Sequence, residues 1–180
     1  TYQYPIDPGA DNVPIDNDQT ANFSVQKVSI EENSSKSPVN YILPPNIERT
    51  YAIGSQTNQT VAQNEQALSL RTCGLADGKS RSVFKNISLD LRRYKHLNMY
   101  VHANRIDGEI PVKDKEVVAF VRIGTDFKDN YYQYEIPLKM TADGVFKSDN
   151  TDDRTTVWPT ENDVDINLDD LVNLKLERNN

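Results

Sequence analysis

One cysteine, seven glycines, two histidines and one tryptophan in 180 residues exclude several kinds of chemistry. Cys73 alone can form neither an intrachain disulfide nor a zinc site. It lies in LSLRTCGL, an apolar strand-like run, where it reads as a buried, inert thiol. A nucleophilic role needs a histidine partner, and only His96 and His102 exist. The glycines are scattered and form no phosphate-binding loop, and GxSxG, HExxH and CxxC are missing. The residues therefore predict no enzyme, no catalytic side chain and no bound cofactor. No run approaches the roughly 18 apolar residues of a membrane helix. No charged-then-apolar leader opens the sequence, but the numbering begins at Thr1, so this says nothing about export.

Acid is what the chain has in excess. The net charge is −7, with a pI near 4.8 and a mean hydropathy of −0.68. Such a surface repels phosphate backbones, so nucleic acid is not an expected partner. Asp163, Asp165, Asn167 and Asp169 alternate like the start of a calcium loop. Leu168 stands where that loop needs glycine and Leu174 where it needs glutamate, so no metal site is expected. DNTDD (149–153) is an equally loose match and reads as a solvated acidic loop. Four Asn-X-Ser/Thr triplets begin at Asn22, Asn33, Asn58 and Asn86, as chance supplies in a chain rich in these residues.

The length fits one domain with an appended arm. Residues 1–63 read as an extended arm carrying one or two short strands. Its first part, with Pro5, Pro8 and Pro14 among aspartates, is too polar to build a core. NFSVQKVSI alternates like a strand, EENSSKSP is a turn, and VNYILPPNIER runs extended into a double proline. IGSQTNQTVAQ is read as a loop. Residues 64–180 read as a β-sandwich, with strands at 67–75, 82–91, 98–103, 117–124 and 130–138 and a short one in TTVWP. VVAFVRIG is the most apolar run and is expected to be a central strand. Leu168, Leu171 and Val172 fit one face of a helix of a turn or two, capped by Asp163 or Asn167. The expected fold class is mainly β: an antiparallel, jelly-roll-like sandwich with an extended N-terminal arm and little helix.

In NYYQYEIPL (130–138), period two puts Tyr132, Tyr134, Ile136 and Leu138 on a core face, and Tyr131, Gln133 and Glu135 outside. Two of the tyrosines are thereby expected in the core, which leaves a poor sugar-stacking stripe. Tyr131 and Trp158 are the preferred partner-contact anchors, with Trp158 equally suited to closing the core. Edge strands and the acidic stretches 107–116 and 149–170 are the other expected contact surfaces.

NEQALSLRTCGLADGKSRSVFKNISLDLRRYKHLNMYVHA (64–103), VVAFVRIGTDFKDNYYQYEIPL (117–138) and VWPTEND (157–163) together resemble the SprA/Sov family. The stretches cover roughly 70 residues in the family's order; the succession is more specific than any one of them. These are very large cell-surface proteins of Bacteroidetes that form the outer-membrane translocon of the type 9 secretion system and serve gliding motility. The resemblance implies one internal segment of a longer barrel protein, with a closing strand missing here or supplied elsewhere. It carries over no catalytic residue. The charges Arg71, Lys85, Arg122 and Glu135 within the best strands argue against a lipid-facing barrel wall. The expected function is a non-catalytic extramembrane β domain of the translocon. Its expected partners are the rest of the barrel protein, other secretion-system proteins and secreted cargo. The rival readings are a cell-surface carbohydrate-binding module of jelly-roll type, which needs an open aromatic groove, and a glycoside-processing enzyme, which needs two carboxylates across a cleft.

Overall fold

The computed structural model describes residues 22–49, 51–53, 60–62, 65–87, 89–126 and 129–179. In chain order its elements are β1 (Asn22–Ser29), α1 (Ile30–Asn33), β2 (Tyr51–Ile53), β3 (Thr60–Ala62), β4 (Gln66–Cys73), β5 (His96–Met99), β6 (Val118–Gly124), β7 (Tyr131–Pro137), α2 (Thr151–Val157), β8 (Val164–Asn167) and α3 (Leu168–Asn179). Strand outweighs helix, and every ladder is antiparallel. The described strands form four separate two-stranded sheets: β1 with β4, β2 with β3, β5 with β8 and β6 with β7. Mainly strand with little helix, in small antiparallel sheets, is as far as the described residues bear out the expected fold class.

Several sequence-based expectations shift. The loop assigned to IGSQTNQTVAQ contains β3, and the rest of its polar stretch lies outside the described residues. The strand expected over 82–91 is not formed by its described residues; Ile87 and Leu89 are exposed and no ladder partner faces them. The strand expected at 98–103 begins earlier, at His96, because its partner is β8, a strand missed in the acidic stretch. Among the described residues VVAFVRIG has one neighbouring strand rather than the two of a central strand, and Val117 and Val118 are exposed.

TTVWP is not a strand either. Its first three residues end α2, whose N-cap Asn150 accepts from the Asp152 and Asp153 amides at 2.9 and 3.4 Å. Asp152 and Asp153 also favour the positive end of the helix dipole. The β-branched threonines are accommodated because Thr155 and Thr156 donate their hydroxyls to Asp152 O at 3.0 and 2.8 Å. The C-terminal helix begins where expected, with Asn167 Oδ1 accepting from Asp169 N at 3.2 Å, but it runs for 12 residues.

The core has two clusters. In the first, Val39, Ile42, Val157 and Trp158 pack with Tyr41, Tyr100 and Phe146. Residues 39–44 are mostly buried yet belong to no sheet, so their backbone groups need other partners. The Asn40 side chain, in turn, satisfies the backbone of Phe146: its Nδ2 donates to Phe146 O at 2.8 Å, and its Oδ1 accepts from Phe146 N at 2.7 Å. Trp158 Nε1 donates to Ile42 O at 3.1 Å, and Arg154 Nε to Leu43 O at 3.2 Å. The Tyr41 hydroxyl donates to Glu65; burial first, and then that bond, push its pKa far above the ordinary tyrosine value.

The second cluster is Ile136, Val164, Ile166 and Leu168, with Leu97, Val101, Val121 and Leu171 against it. Asn162, fully buried, ties the end of the β7 segment to the approach to β8. Its Oδ1 accepts from Lys139 N at 2.7 Å, and its Nδ2 donates to Lys139 O at 2.9 Å.

Trp158 is 6% exposed, with Tyr41 and Tyr100 edge-on at 6.1 and 6.4 Å between ring centroids. Truncating such a side chain removes a large buried surface and opens a cavity. Trp158→Ala should destabilise the fold by about 3–5 kcal/mol in urea unfolding followed by far-UV circular dichroism. A loss under about 1 kcal/mol would mean that Trp158 does not organise this cluster.

His102 is packed beside Trp158, with 5.7 Å between ring centroids. Its Nδ1 lies 2.7 Å from Val157 O, to which it donates, and its Nε2 lies 3.0 Å from Asn104 Oδ1. Burial holds its pKa below the ordinary histidine value, against the upward pull of those two contacts. The unfolded chain therefore binds this proton more readily than the folded one. The His102 contribution is fully present above the unfolded pKa of about 6.5 and declines as pH falls from there toward the folded pKa. Melting temperatures measured from pH 7.5 to 5.5 should fall more steeply for the native chain than for His102→Gln; parallel slopes would refute the assignment.

Candidate functional site

Between β6 and β7, Asp126 Oδ1 accepts from the Asp129 and Asn130 amides at 2.7 and 2.9 Å. Gly124 is required at the end of β6, since a Cβ there would lie 2.2 Å from Asn130 O. The register pairs Arg122 with Gln133, Val121 with Tyr134 and Ile123 with Tyr132, which sorts the side chains onto two faces.

One face carries Phe120, Arg122, Tyr131, Gln133 and Glu135. The Arg122 guanidinium stacks 3.7 Å from the Tyr131 ring centroid and 5.7 Å from that of Phe120. Gln133 Oε1 accepts from Arg122 Nε at 2.8 Å, and Gln133 Nε2 donates to Glu135. Tyr131 was expected as an exposed anchor. It is instead half-buried, with one ring face under Arg122.

The other face carries Val121, Ile123, Tyr132, Tyr134 and Ile136. The expected core face holds at Ile136 and Leu138, which are 6% and 7% exposed. It does not hold toward the turn: Tyr132 is half-buried and Tyr134 is 38% exposed. No second sheet covers that end of the hairpin among the described residues.

A cleft of about 160 Å³ opens there, between the hairpin and β8 with α3. Val121, Ile123, Tyr132 and Tyr134 form one wall, and Ile166, Leu171 and Leu174 the other. Asp165, Asn167 and Asp170 stand beside them. Asp165 Oδ1 lies 3.3 Å from His96 Nδ1, and Asp170 Oδ1 accepts from Asn167 Nδ2 at 3.4 Å. No lysine or arginine is among the lining residues. The alternating acids do not converge as a calcium loop requires: in β8, Val164 and Ile166 turn inward while Asp165 is exposed. Among the described residues no three His, Cys, Asp or Glu side chains are grouped to hold a metal.

Trp158, the other expected anchor, belongs to the core, as its alternative reading had it. The acidic stretch 107–116 is partly self-engaged: Asp114 accepts from Met140 N and Glu116 from Lys113 N, both at 2.8 Å. Sequence reading missed the apolar ribbon of β1 and β4, where Val25 faces Leu70, Lys27 faces Leu68, and these three aliphatics are 37–49% exposed. It also missed the outward Val172, Leu174 and Leu176 of α3. Alternation was visible in both; which face would be covered was not.

Residues 4–180 match the SprA_N family model, described as motility related/secretion protein. The chain belongs to the SprA_N family. No curated protein matches it. No described helix of this SprA_N chain is long and apolar enough to cross a membrane.

The two ends of β7 should respond differently to truncation. Ile136→Ala should cost about 2–5 kcal/mol, because Ile136 is buried among Val164, Ile166 and Leu168. Tyr134→Ser should cost under about 1.5 kcal/mol, since much of that ring is in solvent. Equal losses in chemical denaturation would show that the cleft is closed in solution.

Proposed function

We propose that the chain is a non-catalytic, extramembrane β domain of a SprA-like outer-membrane protein translocon of Bacteroidetes. It serves type 9 secretion and gliding motility at the cell surface through structural or docking contacts. The observation that carries this reading is the family match across residues 4–180. Support comes from sheets only two strands wide, so that each described strand leaves one backbone edge unpaired within its sheet. Such edges accept added strands. Strands from the rest of the parent protein complete them and close the jelly-roll-like sandwich that the alternation predicted. Partner proteins of the secretion system and its cargo are the other candidates for these edges.

A cell-surface carbohydrate-binding role is the second reading, favoured by Tyr132 and Tyr134 sharing a cleft with Asp165 and Asn167. The size of the cleft counts against it: at about 160 Å³ it falls below the roughly 300–1,000 Å³ of typical small-molecule sites.

The test is an in-frame deletion of the segment equivalent to residues 64–163 in the parent gene. Cargo secretion and surface spreading should be lost while the parent protein still reaches the outer membrane and assembles its barrel. Normal secretion at normal protein level would overturn the proposal.

A further inference from the structure

The chain holds three Asp-Gly dipeptides, at Asp77, Asp107 and Asp143. Each glycine leaves its own nitrogen unshielded toward the preceding carboxyl, so an unfolded chain reacts alike at all three. All three aspartates are exposed, so exposure does not rank them. Hydrogen bonding does. Asp143 is held at both reacting groups. Its two carboxylate oxygens each lie 3.0 Å from Arg105 Nε, and the Gly144 amide donates to Pro38 O at 3.0 Å. A Cβ at Gly144 would lie 3.0 Å from the Phe146 ring, so the backbone there has little room to swing.

Asp77 and Asp107 stand at the second position of two matching type II turns. Lys79 N donates to Ala76 O at 3.0 Å and Glu109 N to Ile106 O at 3.1 Å, with Gly78 and Gly108 at φ +72° and +80°. Neither glycine has an atom within 4 Å of its missing Cβ. Neither glycine amide has a hydrogen-bond partner among the described residues. The turns differ at the carboxylate. Asp107 Oδ2 accepts from Ser37 Oγ at 3.1 Å, whereas the Asp77 carboxylate has no partner among the described residues.

We infer that Asp77-Gly78 is a site of spontaneous covalent modification, where the turn after β4 converts from an aspartyl to an isoaspartyl linkage. The Gly78 nitrogen bonds to Asp77 Cγ and one water leaves, which closes a succinimide ring. Water then adds at the former α-carbonyl and breaks its bond to that nitrogen, so the main chain runs through Cβ and Cγ. No co-reactant besides water is needed, and the composition is unchanged. Closure rotates ψ of Asp77 out of its turn value, and among the described residues only the Ala76–Lys79 hydrogen bond resists it. The product lengthens the main chain by a methylene in the turn that leaves the β1–β4 ribbon, so the folded chain carries a mark of its age there. This chemistry stands apart from the translocon reading.

Trypsin places each dipeptide on its own peptide with a single aspartate: TCGLADGK (72–79), IDGEIPVK (106–113) and MTADGVFK (140–147). The 180-residue chain is incubated for weeks at neutral pH in H₂¹⁸O, native and in parallel in urea, then digested in ordinary water. Isoaspartyl peptides are separated by chromatography and carry ¹⁸O from the ring opening. Far-UV circular dichroism before and after establishes that the native sample stays folded. In urea the three rates should agree. In the native chain Asp77 should keep its urea rate to within about fivefold, since one exposed turn hydrogen bond opposes closure. Asp143 should fall at least about tenfold below its own urea rate, since several bonds must break together, with Asp107 between the two. Asp77→Glu should abolish the product on 72–79, because the six-membered ring closes far more slowly.

Equal protection of all three sites in the native chain would overturn the assignment, as would faster isomerisation at Asp143 than at Asp77. Isoaspartate on 72–79 in urea but none in the native chain would show that the turn is closed to this chemistry and overturn it outright.

Discussion

Buried backbone must be hydrogen-bonded, and in this chain the sheets are too narrow to do all of it. Residues 39–44 run through the first core cluster without a ladder of their own. Asn40 answers the Phe146 peptide groups as a strand would, and Trp158 and Arg154 answer the carbonyls of Ile42 and Leu43. Asn162 does the same for Lys139. These side chains hold the α2 region and the 39–44 segment together across more than a hundred residues of sequence. Leaving one partner of such a buried pair unmade costs about 1–3 kcal/mol, so the arrangement is selective as well as cohesive.

The same narrowness explains the surfaces. A two-stranded ribbon buries at most one face unless another layer meets the second. β1 and β4 cover Val28 and leave Val25, Leu68 and Leu70 outward. The β6–β7 hairpin covers Ile136 against β8 and leaves its turn end overhanging. The cleft at Tyr134 and the unpaired edges are thus two consequences of one architecture.

Much of the local structure was legible in the sequence. The alternation at β1, β4, β6 and β7 located those strands, and Asn167 with the 168, 171 and 172 spacing located the start of α3. Other segments misled for identifiable reasons. β-branched Thr155, Thr156 and Val157 suggested a strand, but the Asn150 cap with Asp152 and Asp153 outweighed them. The 82–91 segment alternates well, yet its described residues form no named strand. Tyr131 was legible as an outer-face residue, but its cover by Arg122 depends on the register of two strands.

What the sequence determined by itself was composition-level and periodic: an acidic, mainly extended chain with a family resemblance spread over three ordered stretches. Periodicity fixes which side chains share a face, because it is a property of the backbone. The tertiary structure decided which face is covered, that Trp158 lies in the core while Tyr134 reaches solvent, and that Tyr134 and Leu171 meet across a cleft. Burial is a relation between segments distant along the chain, and no local pattern encodes the neighbour that supplies it.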